Sequence, residues 1–452
     1  MAAVQPKIRP LGCTERNWCR AVPGGTGITV VALLLSELVD IPLLQSALRK
    51  LQIDHPILNS KLIHRAGANS YSFLTPPAPA TPHLEIEPFD QASTAEILRG
   101  LDSSSDSHFH LLLEHELNRN SWLNPKADAD TFFASTYDLD DGRRVLALRF
   151  HTSACDRTAA AALLKELVPL LGGEEDGAKG ELEGERGVGL GIEDCIPKGK
   201  AKKPLWARGL DMLGYSLNSF RMSNVAFQDT HSPRCSRVVR LKLGKEETGR
   251  ILDGCKTRGI KLCGVLSAAG LIAARSSKGL SDSQSEKYAV VTIMDCRSML
   301  DPALNEHHTG FYNSAILNTY NVKGKEDIWE LSKQTYTSFL NAKNNDKHFT
   351  DLADMNFLMS KALDNPGLTP HSSMRTSFIS VFDEPIFDQQ PTNPLEDFIG
   401  CASIHGIGPS IAIFDTIKDG ELDCACVYPS PLHSRQQMQG LVDEMKRILV
   451  ER

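Results

Sequence analysis

The densest run of reactive side chains lies at residues 149–156, Arg-Phe-His-Thr-Ser-Ala-Cys-Asp. A neutral imidazole at His151 can take a proton from a hydroxyl or amine as it attacks a carbonyl. A thiolate at Cys155 beside that imidazole would be a nucleophile. A small thiol just before a helix is the usual packing residue, and Cys155 is read that way. Thr152 offers a hydroxyl but no base of its own. Asp156 can cap the helix that follows it. The His-x4-Asp spacing alone carries little information, because 14 histidines in one chain give roughly one such pair by accident. Two other histidine sites invite comparison. His307 and His308 are adjacent but lie in a polar loop with no aspartate after them. His405, in Ser-Ile-His-Gly-Ile-Gly-Pro, reads as a turn residue.

The elements around the run are legible. DTFFASTYDLDDGRRVLALRFH reads as two strands around an Asp-Asp-Gly turn. Leu146, Leu148 and Phe150 share one face of the second strand, and Val145, Ala147, Arg149 and His151 share the other. After Asp156 an alanine run and Leu163, Leu164, Leu167 and Val168 give a helical pattern. Upstream, DIPLLQSALRKLQIDHP predicts a helix capped by Asp40, with Ile41, Leu44, Leu48 and Leu51 on one face. Asp54-His55-Pro56 ends it, since the residue before proline avoids helical geometry. The strand-like ILNSKLIHR follows.

In the second half, SRVVRLKLG and YAVVTIMD read as strands, with two helices between them broken at Arg258-Gly259. Helices are expected near 326–343 and 350–363, and strands at TSFISVF, SIAIFDTI and LDCACVY. A final helix from about Ser434 to Val450 buries Met438, Leu441, Met445 and Ile448. Residues 172–204 are rich in glycine and charge and read as a flexible crossover linker. The lysine cluster at 198–203 is read as solvated linker rather than a nuclear signal. The expected division is a lobe at 1–171, a linker at 172–204 and a lobe at 205–452.

Composition bounds the function. Hydrophobic residues at 41% and charged residues at 23% of 452 positions describe a globular chain with a sizeable core. A net charge of −7 gives no electrostatic case for nucleic acid or an anionic membrane surface. TGITVVALLL is too short to span a bilayer. The eleven cysteines show no CxxC pair and no metal-ligand spacing. Cys424 and Cys426 share one strand face and read as core. No metal is expected. The cysteine pattern, the N-terminus without an apolar signal run and the C-terminal LVER favour a cytoplasmic location; a monomer is expected.

Four pieces in order resemble the coenzyme-A-dependent acyltransferase superfamily, which includes the plant BAHD enzymes, alcohol acetyltransferase-like enzymes and peptide-synthetase condensation domains. They are LVDIPLLQSALRKLQIDHPILNSKL, the run RFHTSACDRT in the place of the HHxxxDG motif, RGIKLCGVLSAAGLIAA, and VVTIMDCRSMLDPALNEHHTGFYN. The BAHD signature DFGWG is missing, and EDFIGCASIHGIGP at 396–409 is only a loose echo of it. A branch outside the plant enzymes is indicated.

The resemblance implies an α/β fold of two chloramphenicol-acetyltransferase-like lobes with a tunnel at their interface. It implies acyl transfer from an acyl-CoA-type thioester to a small-molecule alcohol or amine, with acyl-CoA as co-substrate and no bound cofactor. In the family the base is the second histidine of the motif, four positions before the aspartate. Here that position is Thr152. His151 matches the first, supporting histidine. A strand bulge could turn His151 back to the base's side. Asp156 corresponds to the structural aspartate, which the family pairs with an arginine, here Arg297. Arg157 replaces the motif's glycine and either narrows the tunnel or points to the surface. The chain is therefore read as a transferase with slow or altered chemistry. The alternatives are a non-catalytic binding or accessory protein on the same fold, and a different reaction in the same tunnel.

Overall fold

The computed structural model describes residues 6–36, 38–65, 70–77, 84–101, 107–124, 126–172, 188–204, 222–365, 374–388 and 394–451. The chain divides into two compact units. Unit 1 holds Met1–Cys195, Pro302–Tyr312 and Pro391–Ser403; unit 2 holds the remainder. The division is not linear along the chain: two segments of the second half belong to unit 1.

Unit 1 opens with β1 (Lys7–Pro10), α1 (Cys13–Ala21) and β2 (Thr26–Leu35). Every residue of β2 is buried, so the run too short for a membrane is a core strand. α2 (Ile41–Asp54) follows, with Leu44, Leu48 and Leu51 buried. Asp40 occupies its N-cap position, but the side chain makes no capping bond; Pro42 in the first turn sets the helical start instead. Then come β3 (Lys61–Arg65), β4 (Ser70–Thr75), β5 (Ile86–Phe89), α3 (Gln91–Arg99), α4 (His108–Asn118) and β6 (Ala129–Asp130). β7 (Phe132–Asp138) and β8 (Arg144–His151) form the expected hairpin, with Gly142 at φ +84° in its turn. α5 (Arg157–Leu171) packs on α2, and Leu163, Leu164, Leu167 and Val168 join the core between helices and sheet.

Residues 173–187 of the expected linker lie outside the described residues. The remainder corrects that reading. Glu193 accepts from the N–H and the hydroxyl of Thr14, both at 2.6 Å. Lys203 is buried between Asp351 and Asp354, 2.7 Å from each. A lysine held by two carboxylates is not a solvated linker residue.

Unit 2 is built on β9 (Cys235–Leu243), β10 (Glu286–Asp295), β11 (Asn313–Val322), β12 (Arg375–Phe382) and β13 (Ile386–Asp388). β14 (Leu395–Ile404) returns to unit 1, whose five-stranded sheet runs β14-β2-β8-β7-β5. β15 (Gly408–Lys418) and β16 (Glu421–Ser430) complete the unit 2 sheet, in the order β11-β10-β12-β15-β16-β9 with β13 beside β15. Its helices Lys245–Arg258 and Leu262–Ser276 break where predicted, at Gly259 in the left-handed region. The C-terminal helix Arg435–Glu451 buries Met438, Leu441, Met445 and Ile448. Cys424 and Cys426 are buried, and all eleven cysteines are free thiols. Among the described residues no single helix is long and apolar enough to cross a membrane.

Among the described residues of unit 1, the Glu116–Arg149 ion pair is fully buried. Glu116 on α4 lies 2.6 Å from Arg149 Nε on β8, with side-chain exposures of 0% and 2%. The contact is close but outside hydrogen-bond geometry at those two atoms. Arg149 instead donates to Arg119 O at 2.7 Å and Ser121 Oγ at 3.0 Å, and Tyr137 Oη donates to Glu116. Removing the charge of Glu116 strands a buried guanidinium. Glu116→Gln should cost ~3–5 kcal/mol in urea unfolding. Lys325→Ala, which breaks an exposed pair with Asp282, should leave the midpoint unchanged.

Candidate active site

The β2–β8 ladder runs without a register shift from Leu35↔Arg144 to Ile28↔His151. There is no bulge at the strand end, so His151 keeps the face that strict alternation gives it. Beyond it the chain turns: Ala154 and Cys155 donate to His151 O at 2.8 and 3.2 Å, and Thr152 N donates to Gly27 O at 3.1 Å. α5 then starts at Arg157, with Asp156 as its N-cap.

His151 and Thr152 make separate sets of contacts. The His151 ring meets Trp122 edge-on at 5.3 Å. Its Nδ1 accepts from Ser153 N at 3.2 Å and from Ser153 Oγ at 2.7 Å. A backbone N–H can only donate, so Nδ1 is the acceptor and the neutral ring carries its proton on Nε2. The side chain is 2% exposed, and burial pushes its pKa down to about 3. This imidazole stays neutral, and its ring position is fixed from both sides.

Thr152 is also buried, with its Oγ1 2.8 Å from Thr29 Oγ1. Thr29 in turn reaches Cys155 O at 3.5 Å. Gly27, at φ +93°, completes this corner. A Cβ there would stand 2.9 Å from Trp18 and 3.3 Å from Thr152 Oγ1, so glycine is required by both backbone and space. The position that the resemblance gives to the base thus carries a hydroxyl in a hydroxyl pair.

Asp156 uses both carboxylate oxygens. Oδ1 accepts from Ala159 N at 2.9 Å as the N-cap of α5. Oδ2 accepts from Tyr312 N at 2.9 Å, and the Asp156 N–H donates to Gly310 O at 3.0 Å. The capping role follows from the sequence; the grip on residues 310–312 does not. Cys155 is fully buried in the core, its Sγ 3.6 Å from Asp156 O, which is the packing role read for it. Arg157 is half-buried as the first residue of α5. Arg297 lies in unit 2, buried, with Nη1 2.8 Å from Asp295 Oδ1. Asp156 belongs to unit 1.

The remaining histidines have other partners. His307 Nδ1 bonds Glu166 at 2.7 Å, and His308 bonds Asn305 at 2.8 Å. His405, in unit 2, bonds Ser236 Oγ at 3.0 Å; burial, then Arg375 and Arg234, lower its pKa to about 4. Trp18, Gly27, Thr29, Trp122 and Ser153 build the surroundings of the turn. None has a local signature, and only Gly27, a glycine opening an apolar strand, stands out in the sequence. Among the described residues no group of three or more His, Cys, Asp or Glu could hold a metal.

Residues 232–341 match the family described as phthiocerol/phthiodiolone dimycocerosyl transferase C-terminus. No curated protein matches the chain by sequence. TRI3 trichothecene 15-O-acetyltransferase from Fusarium sporotrichioides is similar over 99% of this chain and 96% of its own, at 14% identity and a TM-score of 0.70. Polyketide synthase associated protein 5 from Mycobacterium tuberculosis matches over 99% and 98%, at 16% identity and a TM-score of 0.64. The first condensation domain of the calcium-dependent antibiotic synthetase matches over 98% and 96%, at 15% identity and a TM-score of 0.66. The α/β fold is that of acyltransferases and condensation domains.

Two outcomes follow from the turn. Asp156→Ala removes a cap, ~1 kcal/mol, and leaves the buried Tyr312 N–H without an acceptor, ~1–3 kcal/mol. Chemical denaturation should show a loss of ~2–4 kcal/mol, and less for Asp156→Asn, which keeps an acceptor oxygen. His151 binds its proton more readily unfolded than folded. Its contribution to stability is therefore complete above pH 6.5, its ordinary value, and declines as pH falls from there toward about 3. His151→Gln should flatten that part of the stability–pH curve.

Proposed function

We propose that this chain transfers an acyl group from an acyl-CoA-type thioester to a small-molecule acceptor, and that amines are favoured over alcohols. The observation that carries the reading is the motif turn itself. The aspartate is engaged at both oxygens and the turn is fully built, while the base's position holds Thr152. The fold and the match over residues 232–341 support acyl transfer as the reaction type.

A neutral amine brings its own lone pair. Its nitrogen attacks the thioester carbonyl, the C–N bond forms, the C–S bond breaks, and the departing thiolate takes the proton released by nitrogen. An alcohol must lose its proton during attack, and without a base that costs ~10²–10⁴ in rate. Holding donor and acceptor together retains most of the remaining advantage. In this reading acyl-CoA is a co-substrate and no cofactor is resident. A second reading, a binding or accessory protein, is favoured by the burial of His151 and its bond to Ser153, which leave the turn without an available imidazole.

The wild type, Thr152→His and His151→Ala should be compared for thiol release from several acyl-CoA donors with panels of amines and alcohols. We expect release with an amine, and a gain of about tenfold or more toward alcohols in Thr152→His. His151→Ala should lower thermal stability more than turnover. Tight acyl-CoA binding with no thiol release from any of the three proteins would replace transfer with the accessory reading. Vigorous transfer to alcohols abolished in a folded His151→Ala protein would make His151 the base and overturn the role given to Thr152.

A further inference from the structure

Residues 302–312 join unit 1 from between two segments of unit 2. They reach the motif turn through Gly310 O, which accepts from Asp156 N, and Tyr312 N, which donates to Asp156 Oδ2. The residues of the loop just before Gly310 are held by one carboxylate. Glu166 Oε1 takes His307 Nδ1 at 2.7 Å, and Oε2 takes His55 Nε2 at 2.7 Å. His55 passes the grip on: its Nδ1 lies 2.7 Å from Thr309 Oγ1. A carboxylate only accepts, so His55 donates through Nε2–H and its Nδ1 accepts the Thr309 hydroxyl proton when the ring is neutral. Thr309 immediately precedes Gly310. Glu166 is thus connected to the loop twice, directly by His307 and through His55 by Thr309, and the loop is connected to Asp156 twice.

We propose that Glu166 is a positioning residue, whose carboxylate, shared by His55 and His307, clasps loop 302–312 so that the loop holds the turn bearing Thr152 and Asp156. Its effect on turnover rests on the acyl-transfer reading; the clasp itself does not. The titratable groups facing the carboxylate are His55 at the end of α2 and His307 in the loop. Its neighbour on α5, Lys165, pairs with Glu306 at 3.4 Å. Burial opposes the ionised form of Glu166, but hydrogen bonds and charge from His55 and His307 hold its pKa below the ordinary 4.5. Protonating either imidazole still leaves an N–H aimed at the carboxylate. Release therefore comes from protonating Glu166: the clasp is complete above pH 4.5 and is lost as pH falls through the lower, folded value.

Hydrogen–deuterium exchange on the full chain tests this, read on peptides covering 302–312 against peptides from β10 and β12. In Glu166→Ala, protection of the loop should fall about tenfold or more, the weight of a charge-assisted hydrogen bond. Glu166→Gln should show a smaller fall, and Lys325→Ala none. Protection of β10 and β12 should not change. In the wild type, loop protection should drop as pH is lowered below 4.5, and in Glu166→Gln that dependence should vanish. If Glu166→Ala does not fold, Glu166→Gln and the exposed His307→Ala carry the comparison. Unchanged loop protection in every variant, or an equal loss across both units, overturns the clasp. On turnover, Glu166→Gln should lower kcat with KM unchanged. Loop release in the variants with no transfer by the wild type would uphold the clasp and sink the acyl-transfer reading. Transfer by the wild type with loop and kcat untouched in the variants would do the opposite.

Discussion

The carboxylate of Asp156 is the contact on which the turn depends. One oxygen starts α5 by capping a backbone N–H that the helix cannot satisfy. The other accepts from Tyr312, brought by the chain from 156 residues away. A buried N–H without a partner is costly, so the two bonds fix where β8 ends, where α5 begins and where loop 302–312 passes. Glu166 lies further along α5 and meets that loop at His307 and, through His55, at Thr309. The loop is thus held at two neighbouring places by carboxylates of a single stretch of chain.

The strand pairing divides the two candidate residues. β8 pairs with β2 in unbroken register to its last residue. Alternation then assigns His151 to the face of Arg149, above Trp122 and beside Ser153, and leaves Thr152 to the hydroxyl pair with Thr29. Burial holds the imidazole neutral, and the Ser153 N–H fixes its tautomer. These contacts keep the imidazole buried, neutral and fixed in place. In the proposed reading the turn works by placing reactants rather than by moving a proton.

The two units are not the two halves of the sequence. Segments 302–312 and 391–403 belong to unit 1 although unit 2 surrounds them in the chain. β14 enters the unit 1 sheet as an edge strand beside β2, and the loop supplies partners for Asp156, Glu166 and His55. Each segment replaces backbone or side-chain bonds to water with bonds inside unit 1, which is the physical ground for its membership.

Sequence alone determined the local matters. Period-two and period-3.6 patterns located β7, β8, α2, α5, the helix pair broken at Gly259 and the last helix. The type and position of Asp156 gave its cap, and counting from it placed a threonine where the resemblance expects a base. These are readable because neighbours in the chain set them. Tertiary structure decided the rest. That β2 is a strand, that residues 188–204 are anchored through Glu193 and Lys203, and that Asp40 makes no side-chain cap were not legible. Nor was the meeting of His55, Glu166 and His307, which lie more than a hundred residues apart in pairs. Hydrogen bonds between distant polar side chains leave no periodic trace, and the protonation state of His151 is set by burial, which exists only once the chain has folded.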